Sequence, residues 1–317
     1  MYQHNPDYFI TIAECASLTK ASEKLFVSQP SLSKYIKRLE NNLGTLLFDR
    51  SCSPLRLTYA GERYYQYVLE MQRMDEDLHK EFNDISKEQR GRLRLGIALW
   101  RGACLLPDVF PGFHKKYPGI ELELFEGRSN QLENALLNDN IDLACMNLPH
   151  ALNYSKLFCE TVFEEPILLA APTQHPAVQE LIKNCPYAGI YPIAPLNFVM
   201  NFPLILTKPG QNLTVQVKSF LGKNHLDPDI LMDTGNLTTA INLSATGIAA
   251  TFVPEGGSQV CARPGKLTYL FLDSPDLRWP FALVYRKDSY LPQLSRVFIE
   301  AVKETLGNHS FQTTNVT

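Results

Sequence analysis

Between residues 29 and 38 the chain sets out Gln29, Pro30, Ser31, Ser33, Lys34, Lys37 and Arg38. The polar members share one chemistry. A glutamine amide matches the donor and acceptor on an adenine edge, lysine and arginine donate to guanine or phosphate, and serine hydroxyls serve either. The segment SQPSLSKYIKRLE also carries Leu32, Ile36, Leu39 and Leu43 at spacings of 4, 3 and 4, the repeat of one buried helical face. At about 100° per residue, Pro30, Lys34, Lys37 and Asn41 point the opposite way, with Ser33 and Arg38 to either side. Ser28 is expected to cap this helix through its side chain, and Pro30 suits a first turn, where a missing N–H matters little.

A solvated amphipathic helix with ordinary surface lysines has the same pattern, so the neighbouring elements decide. ASLTKASEKLFVS reads as a shorter helix with Leu18, Ala21 and Leu25 on its apolar side, closed by a tight apolar turn at Phe26 and Val27. Two helices joined in this way form a helix-turn-helix, whose second helix enters the DNA major groove. FDRSCSPLRLT then offers two short apolar segments, Leu46–Phe48 and Leu55–Leu57, around a Ser-Pro turn. That is a hairpin, with Arg50 and Arg56 flanking it where a DNA-contacting wing needs charge.

Residues 7–62 carry the turn A-x-x-L-x-V-S-Q-P, then S-x-x-I-x-x-L-E-x-x-L-G, L-F-x-R and L-T-x-x-G in order. This stretch resembles the N-terminal winged helix-turn-helix of LysR-type transcriptional regulators. One departure is Ser22, where the family usually has a second alanine; a serine is small enough to pack. The resemblance implies that Gln29, Pro30, Ser31, Ser33, Lys34, Lys37 and Arg38 form the recognition surface, on a promoter inverted repeat of double-stranded DNA.

Thr58 is expected to cap a further helix, and Gly61 to admit a neighbouring backbone. Apolar residues at Tyr64, Val68, Met71, Leu78, Phe82 and Ile85 fit a heptad with only Asp75 out of place; Tyr67, Met71, Met74 and Leu78 form a second register. About 28 residues at ~1.5 Å each make a rod of roughly 40 Å, and such a seam predicts helix pairing. Packing on its own domain is the alternative. A two-fold pair suits inverted half-sites. SKEQRG at 86–91 reads as a hinge.

From RLRLGIAL onward, strands alternate with helices, which predicts a parallel or mixed sheet. One helix-like segment runs from Leu105 to Tyr117, and Pro111-Gly112 should bend it. Residues 119–149 give strand, loop, helix, loop, strand and proline; residues 229–254 repeat the arrangement. Two similar lobes enclose a cleft, with ligands outside the carboxyl ends of the strands. Cleft candidates therefore lie at 98–101 (Ala98, Leu99, Trp100, Arg101), 127–130 (Gly127, Arg128, Ser129), Asn147, 207–211 (Thr207, Lys208) and 234–236 (Thr234, Asn236). Helix N-termini attract anions, the cations add to this, and Trp100 offers a wall for a planar group. Each residue, taken singly, is equally consistent with a solvated loop or a domain contact.

EEPILLAAP and FPLILTKPG resemble the family's crossing strand and second-lobe start, with a return to the first lobe through 269–284 and 291–306. The resulting organisation is α/β overall. A winged helix-turn-helix occupies 1–58 and a linker helix with its hinge 59–90. A two-lobed, periplasmic-binding-protein-like effector domain spans 91–310, with lobe I at 91–163 and 268–310 and lobe II at 164–267. The resemblance further implies a small-molecule effector, a tetramer built from linker-helix dimers, and contact with RNA polymerase.

The net charge of −3 over 317 residues argues against a chain that coats nucleic acid, but not against a local basic face. No signal peptide opens the chain and no stretch approaches a membrane span, so a cytoplasmic location is expected. Seven cysteines, without C-x-x-C or a nearby His/Cys cluster, read as reduced thiols, not a disulfide framework or metal site. No cofactor is expected. An enzyme is disfavoured because GIALWRG holds no phosphate loop and no nucleophile motif occurs. A thiol-oxidation sensor, as among the family's peroxide-responsive members, is the remaining alternative; TKPGQNLTVQVKSFLG lacks their cysteines, and Cys185 stands alone.

Overall fold

The computed structural model describes residues 6–51, 54–85, 91–149 and 151–306. Two compact units divide the chain between Asn83 and Asp84.

The first unit contains α1 (Pro6–Cys15), α2 (Leu18–Lys24), α3 (Gln29–Leu43), β1 (Phe48–Asp49), β2 (Arg56–Leu57) and α4 (Tyr59–Ile85). Its core gathers Phe9, Ile12, Ala21, Leu32, Ile36, Leu39, Leu47 and Phe48. The apolar stripe of α3 is therefore the buried face, except for Leu43. That residue is exposed at the very end of the helix, which stops at once in Gly44, whose φ of +70° is left-handed backbone that glycine adopts most readily. Ser22 is buried, and its hydroxyl is satisfied by the carbonyl of Thr19 (2.7 Å). β1 and β2 pair antiparallel, Phe48 opposite Leu57, as the two apolar segments predict. The hydroxyl of Thr58 accepts from Gly61 N–H (3.0 Å) and donates to Leu46 O (2.6 Å). A Cβ on Gly61 would lie 2.0 Å from Leu47 O, so α4 can start against the wing only with glycine there.

Val68 does not belong to a free seam. It is 2% exposed, and near it Gln72 Nε2 donates to Asp7 Oδ1 on α1 (2.7 Å). The first half of α4 thus packs on its own unit, while Met74, Leu78 and Phe82 remain exposed at four-residue spacing. The hinge expected at 86–90 lies outside the described residues.

The second unit begins β3 (Gly91–Ile97), α5 (Leu99–Lys116), β4 (Ile120–Glu126), α6 (Ser129–Leu137), β5 (Leu143–Asn147) and β6 (Leu157–Pro172). It continues α7 (Pro176–Leu181), β7 (Tyr187–Ala188), β8 (Tyr191–Ala194), β9 (Leu204–Thr207), α8 (Asn212–Lys223), β10 (Ile230–Thr234), α9 (Leu237–Ser244) and β11 (Thr251–Pro254). β12 (Leu267–Leu272), β13 (Arg278–Arg286) and α10 (Gln293–Leu306) complete it. The main sheet has the order β4-β3-β5-β13-β6-β12-β8-β7, with β11 also on β6.

Two βαβαβ halves repeat. β3 pairs parallel with β4 and β5. β9 pairs parallel with β10, and Leu204 bridges to Ala250 just before β11. One long strand serves both halves. Residues 157–166 of β6 pair with β13, and 167–172 pair with β11 and β12. The chain returns to the first half between β12 and β13.

α5 begins six residues earlier than the Leu105 start suggested by the sequence, and it continues through Pro107 and Pro111. Each proline removes one helical hydrogen bond. Leu105, Val109 and Phe113, at four-residue spacing, are nevertheless all buried, and Phe113 meets Phe298 of α10 edge-on (5.1 Å). Packing holds the helix where propensity alone would end it. Among the described residues no helix is long and apolar enough to cross a membrane.

Candidate nucleic-acid interface and ligand cleft

On α3, Gln29, Pro30, Ser31, Lys34, Lys37 and Arg38 are exposed and Ser33 is half-buried. They share the face opposite Leu32, Ile36 and Leu39, so the domain core fixes their direction. Ser28 holds the N-cap position, but its side chain does not cap; its Oγ lies 2.8 Å from Ser31 Oγ. The two hydroxyls satisfy each other.

The wing is tied to α3 by a residue whose role the sequence did not reveal. Glu40 is buried, and its Oε1 accepts from the N–H groups of Leu47 (2.9 Å) and Phe48 (3.2 Å). Its Oε2 accepts from Arg50 Nη2 (2.9 Å). Arg50 is therefore first a clamp on the wing, with half its surface still exposed; Arg56 is exposed on β2. In the turn before α3, Phe26 adopts a φ of +54° and is 94% exposed. It does not close an apolar turn, because the left-handed backbone directs its ring outward.

The second unit contains a cavity of about 510 Å³. Four helices begin at it: α5 at Ala98-Leu99-Trp100, α6 at Arg128-Ser129, α8 at Gln211-Asn212 and α9 at Asn236-Leu237. Such N-termini present free amides and partial positive charge. Two are left open by sequence, since the N-cap residues Ala98 and Gln211 make no side-chain cap; at α6 Gln131 Oε1 accepts from Arg128 N–H (2.9 Å), while the Arg128 side chain itself accepts nothing. Asn236 caps α9 itself, accepting from Thr238 N–H (2.9 Å).

Ala98, Leu99, Trp100, Gly127, Arg128, Ser129, Thr207 and Asn236 line the cavity as the sequence suggested, along with Asn130, Gly210, Gln211 and Gly235 from the same loops. Lys208 and Thr234 are not part of the lining. They join the two loops beside it, Lys208 N–H donating to Thr234 O (2.9 Å).

Arg101 and Asn147 are not part of the lining either, and both are buried. Arg101 lies one position past Trp100, so helical rotation turns it into the core. There Arg101 Nη2 donates to Glu165 Oε1 and to Asn147 Oδ1 (2.8 Å), and Asn147 Nδ2 also donates to Glu165 Oε1 (2.6 Å). Gly256 N–H donates to Glu165 Oε2 (3.2 Å). The guanidinium also stacks on Trp100 (4.2 Å) and Phe281 (4.7 Å). Its charge is spent on this cluster.

Glu126, Gln131, Asn212, Leu213, Leu237 and Trp279 complete the lining and were missed. Asn212 directly follows a candidate loop and was within reach of the helix-start argument. Trp279 arrives on the return strand β13, with no local signal. Asn212 Nδ2 is buried without a hydrogen-bond partner among the described residues. Arg128 reaches across the cleft: its Nη2 lies 3.6 Å from where a Cβ on Gly235 would stand. No group of His, Cys, Asp and Glu among the described residues could hold a metal ion.

Burial pushes the thiols of Cys104 and Cys145 up to about 11 and about 12, and raises that of Cys159. The six described cysteines are all free.

Two family profiles match this chain. The profile described as "Bacterial regulatory helix-turn-helix protein, lysR family" covers residues 6–62, and "LysR substrate binding domain" covers 86–307. The uncharacterized HTH-type transcriptional regulator YcgK of Bacillus subtilis is 30% identical, over 95% of this chain and 93% of that protein. A full-length OxyR variant of Pseudomonas aeruginosa has the same fold at a TM-score of 0.66 and 22% identity, covering 96% of this chain and 94% of the other. Full-length CbnR, solved with its target DNA, superposes at 0.62 and 19%, covering 96% and 100%.

Proposed function

Because this chain belongs to the LysR family of DNA-binding transcription regulators with an effector-binding domain, we propose that a small anionic metabolite in the cleft controls how its helix-turn-helix holds DNA. The observation that carries this reading is the convergence of four helix N-termini on one cavity, beside Arg128 and the unpartnered amide of Asn212. Free amides, a guanidinium and a donor with nothing to bind all favour negative charge.

Gln29, Pro30, Ser31, Ser33, Lys34, Lys37 and Arg38 read the duplex, with Arg56 on the wing beside them and Arg50 divided between DNA and Glu40. Two copies pair through the exposed Met74, Leu78 and Phe82 of α4, presenting two recognition helices to an inverted repeat. Residues 1–58, 59–90 and 91–310 serve as reader, coupler and sensor. Tetramer assembly and contact with RNA polymerase, in the cytoplasm, complete the reading. Regulation without catalysis fits a family of regulators. Thiol oxidation fits less well, because the buried Cys104 and Cys145 are held as neutral thiols.

The test is a thermal-shift screen of metabolite acids on the full-length protein. Stabilisation by an organic anion that is lost in Arg128→Ala supports the reading. Stabilisation only by cations, or indifference to Arg128, contradicts it.

A further inference from the structure

The cleft carries one negative side chain. Glu126 ends β4 and lines the cavity; its Oε1 lies 3.7 Å from where a Cβ on Gly102 would stand, against the start of α5. Arg128 stands two residues on, so the two Cα atoms are within about 7 Å. Among the described residues, neither the Glu126 carboxylate nor the Arg128 guanidinium has an ion partner. A purely anionic ligand would meet a repelling charge beside its attracting one.

A second acceptor belongs to a residue that borders the same space, although Thr207 is itself only 4% exposed. Thr214 Oγ1 donates its proton to Thr207 O (2.6 Å), and the two hydroxyl oxygens are also 2.6 Å apart. Satisfying both contacts makes Thr207 the donor to Thr214. Thr207 lines the cavity and so has only lone pairs to offer a ligand. The cavity thus holds two sets of groups. Helix amides, Arg128 and Asn212 Nδ2 ask for an anion; Glu126 asks for a cation, and the Thr207 hydroxyl accepts from a donor of either kind. The chain's two tryptophans, Trp100 and Trp279, both line it as well; Arg101 covers one face of Trp100 and Trp279 is 5% exposed, and what they leave to the cavity is aromatic surface that suits a planar group.

We infer that the effector is a zwitterion, a free α-amino acid with a planar side chain. Its carboxylate lies at the helix N-termini with Arg128, and its ammonium at Glu126 and Thr207. This rests on the reading of the cleft as the effector site and names its ligand class.

The test uses intrinsic fluorescence, since both tryptophans report on the cavity, together with calorimetry on the full-length protein. The probes are the protein amino acids, with phenylalanine, 3-phenylpropionate and phenethylamine as a set matched in shape and differing in charge. At least one amino acid should bind, and at least tenfold tighter than its deaminated acid or its decarboxylated amine. Glu126→Gln, an exposed position checked for folding by its melting temperature, should erase the preference over the acid. Arg128→Gln should erase the preference over the amine. If acids bind as tightly as amino acids and Glu126→Gln changes neither, the zwitterion is wrong while the anion cleft stands. If only amines bind, both fail. If no amino acid binds, the inference is overturned.

Discussion

Arg101 and Glu165 form an ion pair in which the side chains are only 5% and 1% exposed. Glu165 stands on β6 near the point where that strand passes from β13 to β11 and β12, and it also accepts from Gly256 in the other half. The pair therefore sits where the two halves join, directly behind Trp100 of the cavity wall. Removing one partner leaves a buried charge, which costs about 3–5 kcal/mol. Arg101→Ala should lower the urea midpoint of the second unit accordingly. Replacing both residues by methionine should recover much of the loss, since an apolar pair strands no charge. Equal losses in the single and double variants would mean that the pair contributes through packing alone.

On α3, Lys34 and Lys37 are both exposed. Each replaced by alanine should weaken binding to all duplexes and reduce the salt slope by about 1. Gln29→Ala should instead relax base preference by roughly 1–3 kcal/mol at one position. Fluorescence anisotropy across a salt series separates the two effects. Unchanged affinity in Lys34→Ala/Arg38→Ala would remove this face from the interface.

α4 buries Val68 and leaves Met74, Leu78 and Phe82 exposed. Leu78→Asp with Phe82→Asp should abolish one association step in sedimentation while the melting temperature holds. Val68→Asp should unfold the first unit, because that side chain is internal. If Leu78→Asp/Phe82→Asp sediments like the parent, this face does not pair.

The buried thiols give a test of the redox alternative. With folded values raised to about 11 and about 12, Cys104 and Cys145 are protonated at pH 8, and thiolate is the reactive form. They favour the folded state below their unfolded value of roughly 8.5; this stability is lost as pH rises through 11 to 12. Iodoacetamide at pH 8, read by mass spectrometry, should leave both unlabelled in the native protein and label them in urea. Rapid native labelling of either would reopen a thiol-based signal.

What could be read from sequence followed the range of each signal. The α3 stripe, the wing and the repeated strand–helix units are local patterns, and the fold keeps them, Leu43 at the end of the stripe excepted. Glu40 was hidden because its three partners lie seven to ten residues away in the wing. Arg101 was misplaced because composition marks it as a cation near a helix start, while one step of helical rotation separates it from Trp100. Trp279 reaches the cavity from the far end of the chain, through the antiparallel register of β13 on β6, which no neighbouring residue announces. Val68 looked like a seam residue because burial within a unit and burial between copies leave the same periodicity.

Under the proposed function, occupancy of the cleft changes DNA binding. Tenfold control requires about 1.4 kcal/mol of differential ligand binding between two states of the protein. The most direct measurement is the affinity of the full-length protein for its bound inverted repeat, with and without saturating ligand found by tryptophan fluorescence. A shift of at least tenfold, or a changed footprint, that disappears in Arg128→Ala is the predicted result. Identical affinity and footprint while the fluorescence reports a filled cleft would contradict it.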